Sequence, residues 1–241
     1  MKGLFFIVSI LLSISAFSQS SEIVSGGTSA SNMYGGTQVN AGANSGFWIK
    51  SGSGNTKLEG SYYLFNTWAN NAAFYLLANE GYKVPKVNFN VRFNRFEANM
   101  SNNGSNDSIF AFDSKTIKQV TLGSKLFVKK QVAGKGNNYF LEMIEEGEGL
   151  TLLKSYNTSI IPGTVNPMTQ QKLKADKIEI NSSYYVERDG NLEEVKLKKS
   201  TVLKLMANKK EEIKEFLKDS SISFKKDSDI KKIFNYYNSI I

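Results

Sequence analysis

Apolar and aromatic residues occur in short runs along most of the chain, and turn-forming residues separate these runs at intervals of roughly 8 to 12 residues. This spacing, with Gly and Asn between the runs, is typical of an antiparallel sheet. The runs that predict strands are residues 62–65, 73–77, 109–112, 117–122, 126–132, 139–145, 150–156 and 177–188. The chain is therefore predicted to be rich in β-structure from residue 58 to about residue 200.

The most regular alternation lies between residues 87 and 93, where apolar residues occupy every second position and asparagine or arginine lies between them. A period of two predicts one strand with a solvated face, which we expect to continue to Phe96. Asp189-Gly190 predicts a hairpin turn. Residues 161–171 contain two of the three prolines and predict a connection between strands.

The last forty residues change to a helical period. Apolar residues at i, i+3, i+4, i+7 and i+11 predict a terminal helix, and they are Ile230, Ile233, Phe234, Tyr237 and Ile241. Asp227 or Ser228 is the expected N-cap of this helix. Asn208 and Glu211 have the spacing of a capping box and predict an earlier helix, after a shorter one at residues 200–206. The predicted fold class is α+β: a predominantly antiparallel sheet (a curved sheet, a sandwich or an open barrel) followed by two or three C-terminal helices.

The N-terminus predicts export. Met1-Lys2 gives a basic start, an apolar run follows from Leu4 to Ile14, and Ala16-Phe17-Ser18 offers small residues to a signal peptidase. We expect a signal peptide at residues 1–18, cleaved between Ser18 and Gln19, and a mature protein that is secreted or periplasmic.

Residues 19–57 differ in composition from the rest of the chain, because 26 of these 39 residues are Ser, Gly, Asn, Thr or Ala. Such a segment buries too little apolar surface to order itself, so it predicts a flexible leader. Phe47-Trp48-Ile49 is its one apolar cluster after the signal peptide, and we expect it to dock on the core. Residues 58–241 are predicted to form a single β-rich domain.

Composition narrows the possible chemistry. The sequence has no His and no Cys, which excludes disulfides, His/Cys metal sites and His-dependent nucleophilic catalysis. No cofactor, metal or catalytic residue is assigned. The formal charge of +8 becomes +7 when Lys2 leaves with the signal peptide, and it favours anionic partners such as glycans or lipids. Export argues against a nucleic acid.

The densest group of acids lies near the end of a predicted strand and comprises Glu142, Glu145, Glu146 and Glu148. A solvated strand end is the favoured interpretation. An alternative is a glycan hydrolase that uses carboxylates such as Glu142 and Glu146, which requires the two carboxyl groups to lie roughly 5 to 9.5 Å apart across a cleft. A second alternative is a carrier of lipids or other hydrophobic ligands, which requires a large apolar cavity.

Aromatic residues are concentrated just after the leader, at Tyr62, Tyr63, Phe65 and Trp68. Flat rings can stack on the faces of sugars, but core packing is the favoured interpretation of this group.

Four groups of residues resemble a family of uncharacterised exported proteins of Bacteroidetes. These groups are Gly60 to Phe65 with Trp68, Gly147 to Lys154, Tyr184-Tyr185 with Asp189-Gly190, and Ile222 to Lys226 with Tyr236-Tyr237-Asn238. The resemblance covers about residues 60–241. It implies a β-rich body with a helical C-terminus in the cell envelope, and it implies no reaction. The sequence as a whole therefore favours an exported envelope protein with a non-catalytic binding or interaction role.

Overall fold

The computed structural model describes residues 46–49, 58–101, 108–219 and 222–241. The predicted signal peptide and most of the predicted leader lie outside these residues. The described part of the chain contains thirteen strands, one 3₁₀ turn and three helices.

The first seven strands are β1 (Gly46–Ile49), β2 (Leu58–Glu59), β3 (Ala72–Leu76), β4 (Gly81–Val84), β5 (Val87–Asn90), β6 (Arg95–Asn99) and β7 (Ile109–Phe112). The remaining strands are β8 (Ile117–Leu122), β9 (Lys125–Val132), β10 (Gly136–Glu145), β11 (Thr151–Ile161), β12 (Asp176–Arg188) and β13 (Asn191–Val195). The helices are α1 (Lys199–Leu205), α2 (Lys210–Asp219) and α3 (Asp227–Ser239), with a 3₁₀ turn at Ala207–Lys209 before α2.

The strands form two sheets. The small sheet has the order β1-β7-β6-β5, and the large sheet has the order β13-β12-β11-β10-β9-β8-β3-β4, with β2 beside β12. All neighbouring strands pair antiparallel except β2 and β12, which are parallel. The predicted α+β class, with an antiparallel sheet followed by C-terminal helices, is confirmed.

The small sheet and the helices pack on the same face of the large sheet. Each forms its own hydrophobic core with that sheet. Beneath the small sheet, fully buried phenylalanines from both sheets pack ring against ring, including Phe96 with Phe127 at 5.4 Å and with Phe140 at 5.0 Å between ring centroids. Beneath the helices, an aliphatic core joins Leu150 and Leu152 of the sheet region to Phe234 of α3. The predicted helical stripe is buried in this second core at every position except Ile241.

The predicted long strand at residues 87–96 is wrong, because it is a hairpin. The chain leaves β5 after Asn90, turns at Val91–Asn94 and returns as β6, and the backbone of Asn94 has a φ of +48°. Asparagine tolerates this left-handed conformation better than most residues. Apolar and polar residues keep alternating through the turn, so the period of the sequence alone does not reveal the turn.

The predicted solvated face of this strand is also wrong. Asn88 is 1% exposed, because residues 62–67 cover this face. Its side-chain amide accepts from the backbone N–H of Phe65 and donates to the carbonyls of Phe65 and Thr67. The covering segment was predicted as a strand, but it makes only an isolated bridge between Tyr63 and Asn90.

Both predicted helix caps are wrong in detail. Helix α3 begins at Asp227, and its N-cap, Lys226, makes no side-chain capping bond. The carboxylate of Asp227 instead bonds to side chains of the large sheet. Asn208 lies in the 3₁₀ turn and accepts a hydrogen bond from the hydroxyl of Tyr237 at 3.0 Å. In both cases the side chain that was expected to cap a helix instead forms hydrogen bonds with residues that are distant in the sequence.

Two other local predictions are confirmed. Asp189 and Gly190 both have positive φ and link β12 to β13 as a two-residue hairpin turn. Phe47-Trp48-Ile49 docks on the core as part of β1, where the ring of Trp48 meets that of Phe110 edge to face at 5.4 Å.

Candidate functional site

The candidate site lies beside the part of strand β10 that does not pair with β11. Strand β10 pairs with β11 only from Glu142 onward, so the edge of β10 at Phe140 is not paired with β11. The turn between β5 and β6 fills this position. The amide of Asn94 donates to the carbonyl oxygen of Phe140 at 3.0 Å and accepts from its N–H at 2.7 Å. This pair of bonds fixes the turn, and with it the side chains of Arg92 and Phe93.

A surface pocket of about 480 Å³ lies beside this turn. Its basic residues are Arg92, Arg95 and Lys135, and Asp113 is its one acidic residue. Its aromatic residues are Phe47, Phe93, Phe112 and Tyr139. The volume lies within the range typical of small-molecule sites, and the pocket has an excess of positive charge.

Rings and guanidinium groups alternate in a series that runs from the pocket to Tyr62, outside the pocket lining. The guanidinium carbon of Arg95 lies 5.0 Å from the ring centre of Phe47 and 4.6 Å from that of Phe93. The guanidinium carbon of Arg92 lies 5.5 Å from Phe93 and 4.9 Å from Tyr62. We call this series, Phe47–Arg95–Phe93–Arg92–Tyr62, the stacked ladder. Stacking restricts the guanidinium planes while leaving N–H donors at their edges for a ligand.

Two of the rings in the ladder are exposed to an unusual degree for phenylalanine. Phe93 is 56% exposed and Phe47 is 43% exposed. Phe47 comes close to β7 because Gly46 precedes it: a Cβ at Gly46 would lie 2.3 Å from the carbonyl oxygen of Ala111. The exposed parts of these rings offer apolar surface beside the guanidinium groups.

Arg95 is held by a buried carboxylate. Its Nε donates to Glu97 at 2.5 Å, and Glu97 is fully buried. The hydroxyl of Tyr63 donates to the same carboxylate at 2.6 Å, and the side-chain amide of Asn90 donates to it as well. Burial and the bond to Glu97 raise the pKa of the Tyr63 hydroxyl, which therefore stays a donor. Glu97 is thus a positioning residue for the ladder.

Lys135 supplies the third cation from the turn before β10. Its amine lies 4.7 Å above the ring of Tyr139 and donates to the side-chain oxygen of Asn157 at 3.0 Å. Desolvation lowers the pKa of this amine, and the nearby charge of Glu194 acts in the opposite direction.

A second polar cluster crosses the covered face of the large sheet. One cross-strand row runs Phe127–Glu142–Lys154–Tyr184–Val195, from β9 to β13. This row lies between the aromatic core and the helical core, so its three polar members mark the boundary between the two. Burying charges on a sheet is unfavourable unless each finds a partner.

Glu142 and Asp227, together with the lysines and tyrosines that bind them, form what we call the boundary cluster. Each of the two carboxylates binds one lysine and one tyrosine. Glu142 accepts from Lys125 at 2.7 Å and from the hydroxyl of Tyr156. Asp227, at the start of α3, accepts from Lys154 at 2.7 Å and from the hydroxyl of Tyr184 at 2.5 Å. Burial and the neighbouring carboxylates raise the pKa of Tyr156, so its hydroxyl remains protonated. The cluster is a matched set of charges that ties the helices to the sheet.

The pKa of Asp227 gives a first testable prediction. Burial alone would raise the pKa of this carboxyl, but hydrogen bonds from Lys154 and Tyr184 outweigh burial and hold the pKa below its usual value. A carboxyl whose pKa falls on folding stabilises the protein above its unfolded pKa of about 3.9, and the benefit is lost as pH falls through the folded value. We expect Asp227→Asn to lower the free energy of unfolding at pH 7 by about 1 to 2 kcal/mol, allowing for solvent screening.

Denaturant unfolding at several pH values checks this prediction. The difference between wild type and Asp227→Asn should be largest near neutrality and should shrink below about pH 4 as the wild-type carboxyl becomes protonated. A difference that stays the same down to acid pH would show that the charge of Asp227 contributes nothing.

The acidic group found in the sequence is dispersed by the fold. Glu142 is buried in the boundary cluster, and Glu145 binds Lys231 and Asn235 of α3 at 3.2 and 2.9 Å. Glu146 and Glu148 are exposed in the turn after β10. A bulge between Met143 and Glu145 changes the register here. Among the described residues, no three acidic side chains are grouped so that they could hold a metal ion.

The aromatic group of the sequence is also divided. Tyr62 joins the ladder, whereas Tyr63 binds Glu97, and Leu64 and Phe65 pack against the aromatic core. The predicted core role therefore holds for Phe65 but not for Tyr62, whose ring contacts the guanidinium group of Arg92.

Arg92 and Arg95 were not predicted as site residues, although the sequence carries a signal for them. The chain contains 27 lysines and only three arginines, and two of the three lie at positions 92 and 95 around Phe93. Lysine cannot replace arginine where a planar group must stack on a ring. The third, Arg188, donates to the carbonyl oxygen of Leu205.

The chain matches no protein-family model, no curated protein and no solved structure. In the residues that the structure describes, no helix has the length and apolarity needed to cross a membrane.

Proposed function

We propose that this is an exported, non-catalytic binding protein of the cell envelope, and that its pocket binds an acidic saccharide. The observation that carries the proposal is the stacked ladder, in which two of the chain's three arginines line one pocket and lie over the exposed ring of Phe93. Export is supported by the predicted signal peptide at residues 1–18.

The chemistry of the pocket suits a ring that carries a carboxylate or a sulfate. A guanidinium group presents paired N–H donors that fit the two oxygens of such an anion. The solvent-exposed parts of the Phe93 and Phe47 rings can pack against the apolar faces of a sugar ring. The combination favours acidic over neutral saccharides, because an anion can pair with the guanidinium group of Arg92 and a neutral sugar cannot.

A binding role is supported by the state of the carboxylates. In the boundary cluster, Glu142 and Asp227 each bind a lysine and a tyrosine. Such groups are engaged in holding the fold together. The pocket itself offers guanidinium groups, an amine and rings, which can recognise a ligand, and its carboxylate, Asp113, accepts from the backbone N–H of Lys115 at 2.9 Å.

This proposal predicts binding that depends on the charge of the saccharide. Calorimetric titration with oligogalacturonides should give a measurable affinity at low ionic strength, and neutral glucan oligomers of the same length should give none. Added salt should weaken the interaction, because the pocket is open to solvent and its charges are screened. Arg92→Gln should reduce the affinity about tenfold or more, corresponding to the loss of one charge-assisted pair.

Lys218→Gln is the matched control, since it removes one exposed positive charge from α2. It should leave the affinity near that of wild type. Equal losses in both variants would indicate general attraction to a basic protein, and no binding of any acidic oligosaccharide would contradict the proposal. Release of shortened oligosaccharides during the titration would indicate an enzyme instead.

A further inference from the structure

The hairpin between β11 and β12 extends beyond the rest of the large sheet. Strand β11 pairs with β10 only as far as Lys154, whereas its pairing with β12 continues to Ile161. The seven residues after Lys154 span about 23 Å as a strand. The short strand β2 braces β12 at Asp176 and Lys177. Tyr156 and Ile180 of the arm pack against the aromatic core and Ile178 is buried, so only the end of the arm, with its connecting turn, projects into solvent.

The end of this arm, residues 160–174, exposes apolar side chains to solvent; we call it the hairpin tip. Met168 is 93% exposed and Leu173 is 64% exposed. Ile160, Ile161 and Val165 are between 43% and 52% exposed. A group of exposed apolar residues at a turn usually marks a contact surface, since turns at water-facing positions favour polar residues.

Hydrogen bonds hold the hairpin tip in one shape. Asn166 caps the turn, because its side-chain oxygen accepts from the N–H of Met168 at 2.9 Å and its backbone pairs with Gln170 and Gln171. Val165 and Lys172 form a bridge across the base of the turn. The apolar side chains are thus presented in a fixed arrangement, which reduces the ordering entropy lost on binding.

Basic residues follow the exposed apolar residues on the β12 side of the hairpin tip, where Lys177 lies beside Glu59 of β2. Between residues 160 and 177 there are three lysines, at positions 172, 174 and 177, and one acid, Asp176. Asp176 is occupied by Lys172 and by the N–H of Gly163. Lysines beside an apolar tip are attracted to an anionic lipid surface, each contributing to binding when it approaches the head groups.

We propose that the hairpin tip inserts Met168 and Leu173 into the surface of an anionic lipid bilayer. A lipid surface is favoured as the partner, because anionic head groups complement the lysines that adjoin the exposed apolar side chains. Insertion into the head-group region needs only a few apolar side chains with basic neighbours. This proposal is independent of the saccharide pocket.

A single-cysteine label tests the proposal on the full chain, since the sequence contains no Cys. The variant Met168→Cys carries an environment-sensitive fluorophore at the hairpin tip, and Leu77→Cys, at an apolar position 60% exposed elsewhere, is the matched control. With vesicles of phosphatidylcholine and phosphatidylglycerol we expect a blue shift and increased emission at position 168 and no change at position 77. Pure phosphatidylcholine should give a much weaker response.

Two further variants separate the apolar and the charged contributions. Leu173→Ser and the pair Lys174→Gln with Lys177→Gln, each in the labelled Met168→Cys background, should each reduce vesicle binding about tenfold. Equal responses at positions 168 and 77, or no response at position 168, would overturn the proposal. A label that stays exposed on vesicles but becomes protected when the protein self-associates would assign the hairpin tip to a protein contact and would also overturn it.

Discussion

Glu142→Ala is expected to lower the free energy of unfolding by about 2 to 4 kcal/mol, because it leaves the buried hydroxyl of Tyr156 and the partly buried amine of Lys125 without their acceptor. Glu142 is 6% exposed, and its two oxygens bind Lys125 and Tyr156. The truncation would leave the amine of Lys125 and the hydroxyl of Tyr156 without an acceptor at the boundary between the aromatic and the helical core. Since typical domains are stable by only 5 to 15 kcal/mol, a loss of about this size would be visible in any denaturant titration.

Glu146→Ala is the matched control, because Glu146 is exposed in the turn that follows the same strand. Its effect should lie within about 0.5 kcal/mol of zero. Similar small effects from both substitutions would contradict the structural role assigned to Glu142. A stable Glu142→Ala protein that had lost a glycan-cleaving activity would instead favour the hydrolase alternative.

Glu97→Ala is expected to have the second large effect, on both stability and ligand binding. Glu97 is completely buried and accepts from Arg95, Tyr63 and Asn90. Its loss should lower the free energy of unfolding by about 3 to 5 kcal/mol. The guanidinium of Arg95 would also lose the bond that fixes it between Phe47 and Phe93, so affinity for an acidic saccharide should fall.

Glu97→Gln separates these two effects. The amide preserves the size of the side chain and one acceptor oxygen, so it should retain more stability than alanine while weakening the hold on Arg95. Titrations below the unfolding transition then report affinity alone. An affinity that is unchanged in the folded Gln variant would show that Glu97 does not position the ladder.

Local patterns predicted those parts of the fold that depend on local physics. The stripe at Ile230, Ile233, Phe234 and Tyr237 is buried because helical periodicity and burial coincide in α3. The Asp189-Gly190 turn formed because both residues tolerate positive φ. The β-rich body followed by helices is visible from such signals alone.

Predictions failed where a distant segment supplied a partner. The alternating positions of Asn88 and Asn90 predict a solvated strand face. In the structure, residues 62–67 cover that face and bond to the side-chain amide of Asn88. The position of Asp227 predicts a helix cap, but its carboxylate accepts a hydrogen bond from Lys154, which is 73 residues away in the sequence. No periodicity carries information about such long-range contacts.

The site was missed for a similar reason, since the ladder joins Phe47, Tyr62 and the turn at Arg92–Arg95 from three separate segments. Only the preference for arginine over lysine at these two positions pointed there. A chain with 27 lysines and three arginines has placed two of the three beside exposed rings.

The small number of arginines permits the most direct test of the saccharide pocket. Proton–nitrogen correlation spectra resolve the side-chain Nε–H signals of Arg92, Arg95 and Arg188, and they can be followed during titration with an oligogalacturonide. We expect the signals of Arg92 and Arg95 to shift with one common affinity while that of Arg188 stays in place. Unchanged signals from Arg92 and Arg95 at saturating ligand, or an equal shift of all three, would contradict binding in the pocket.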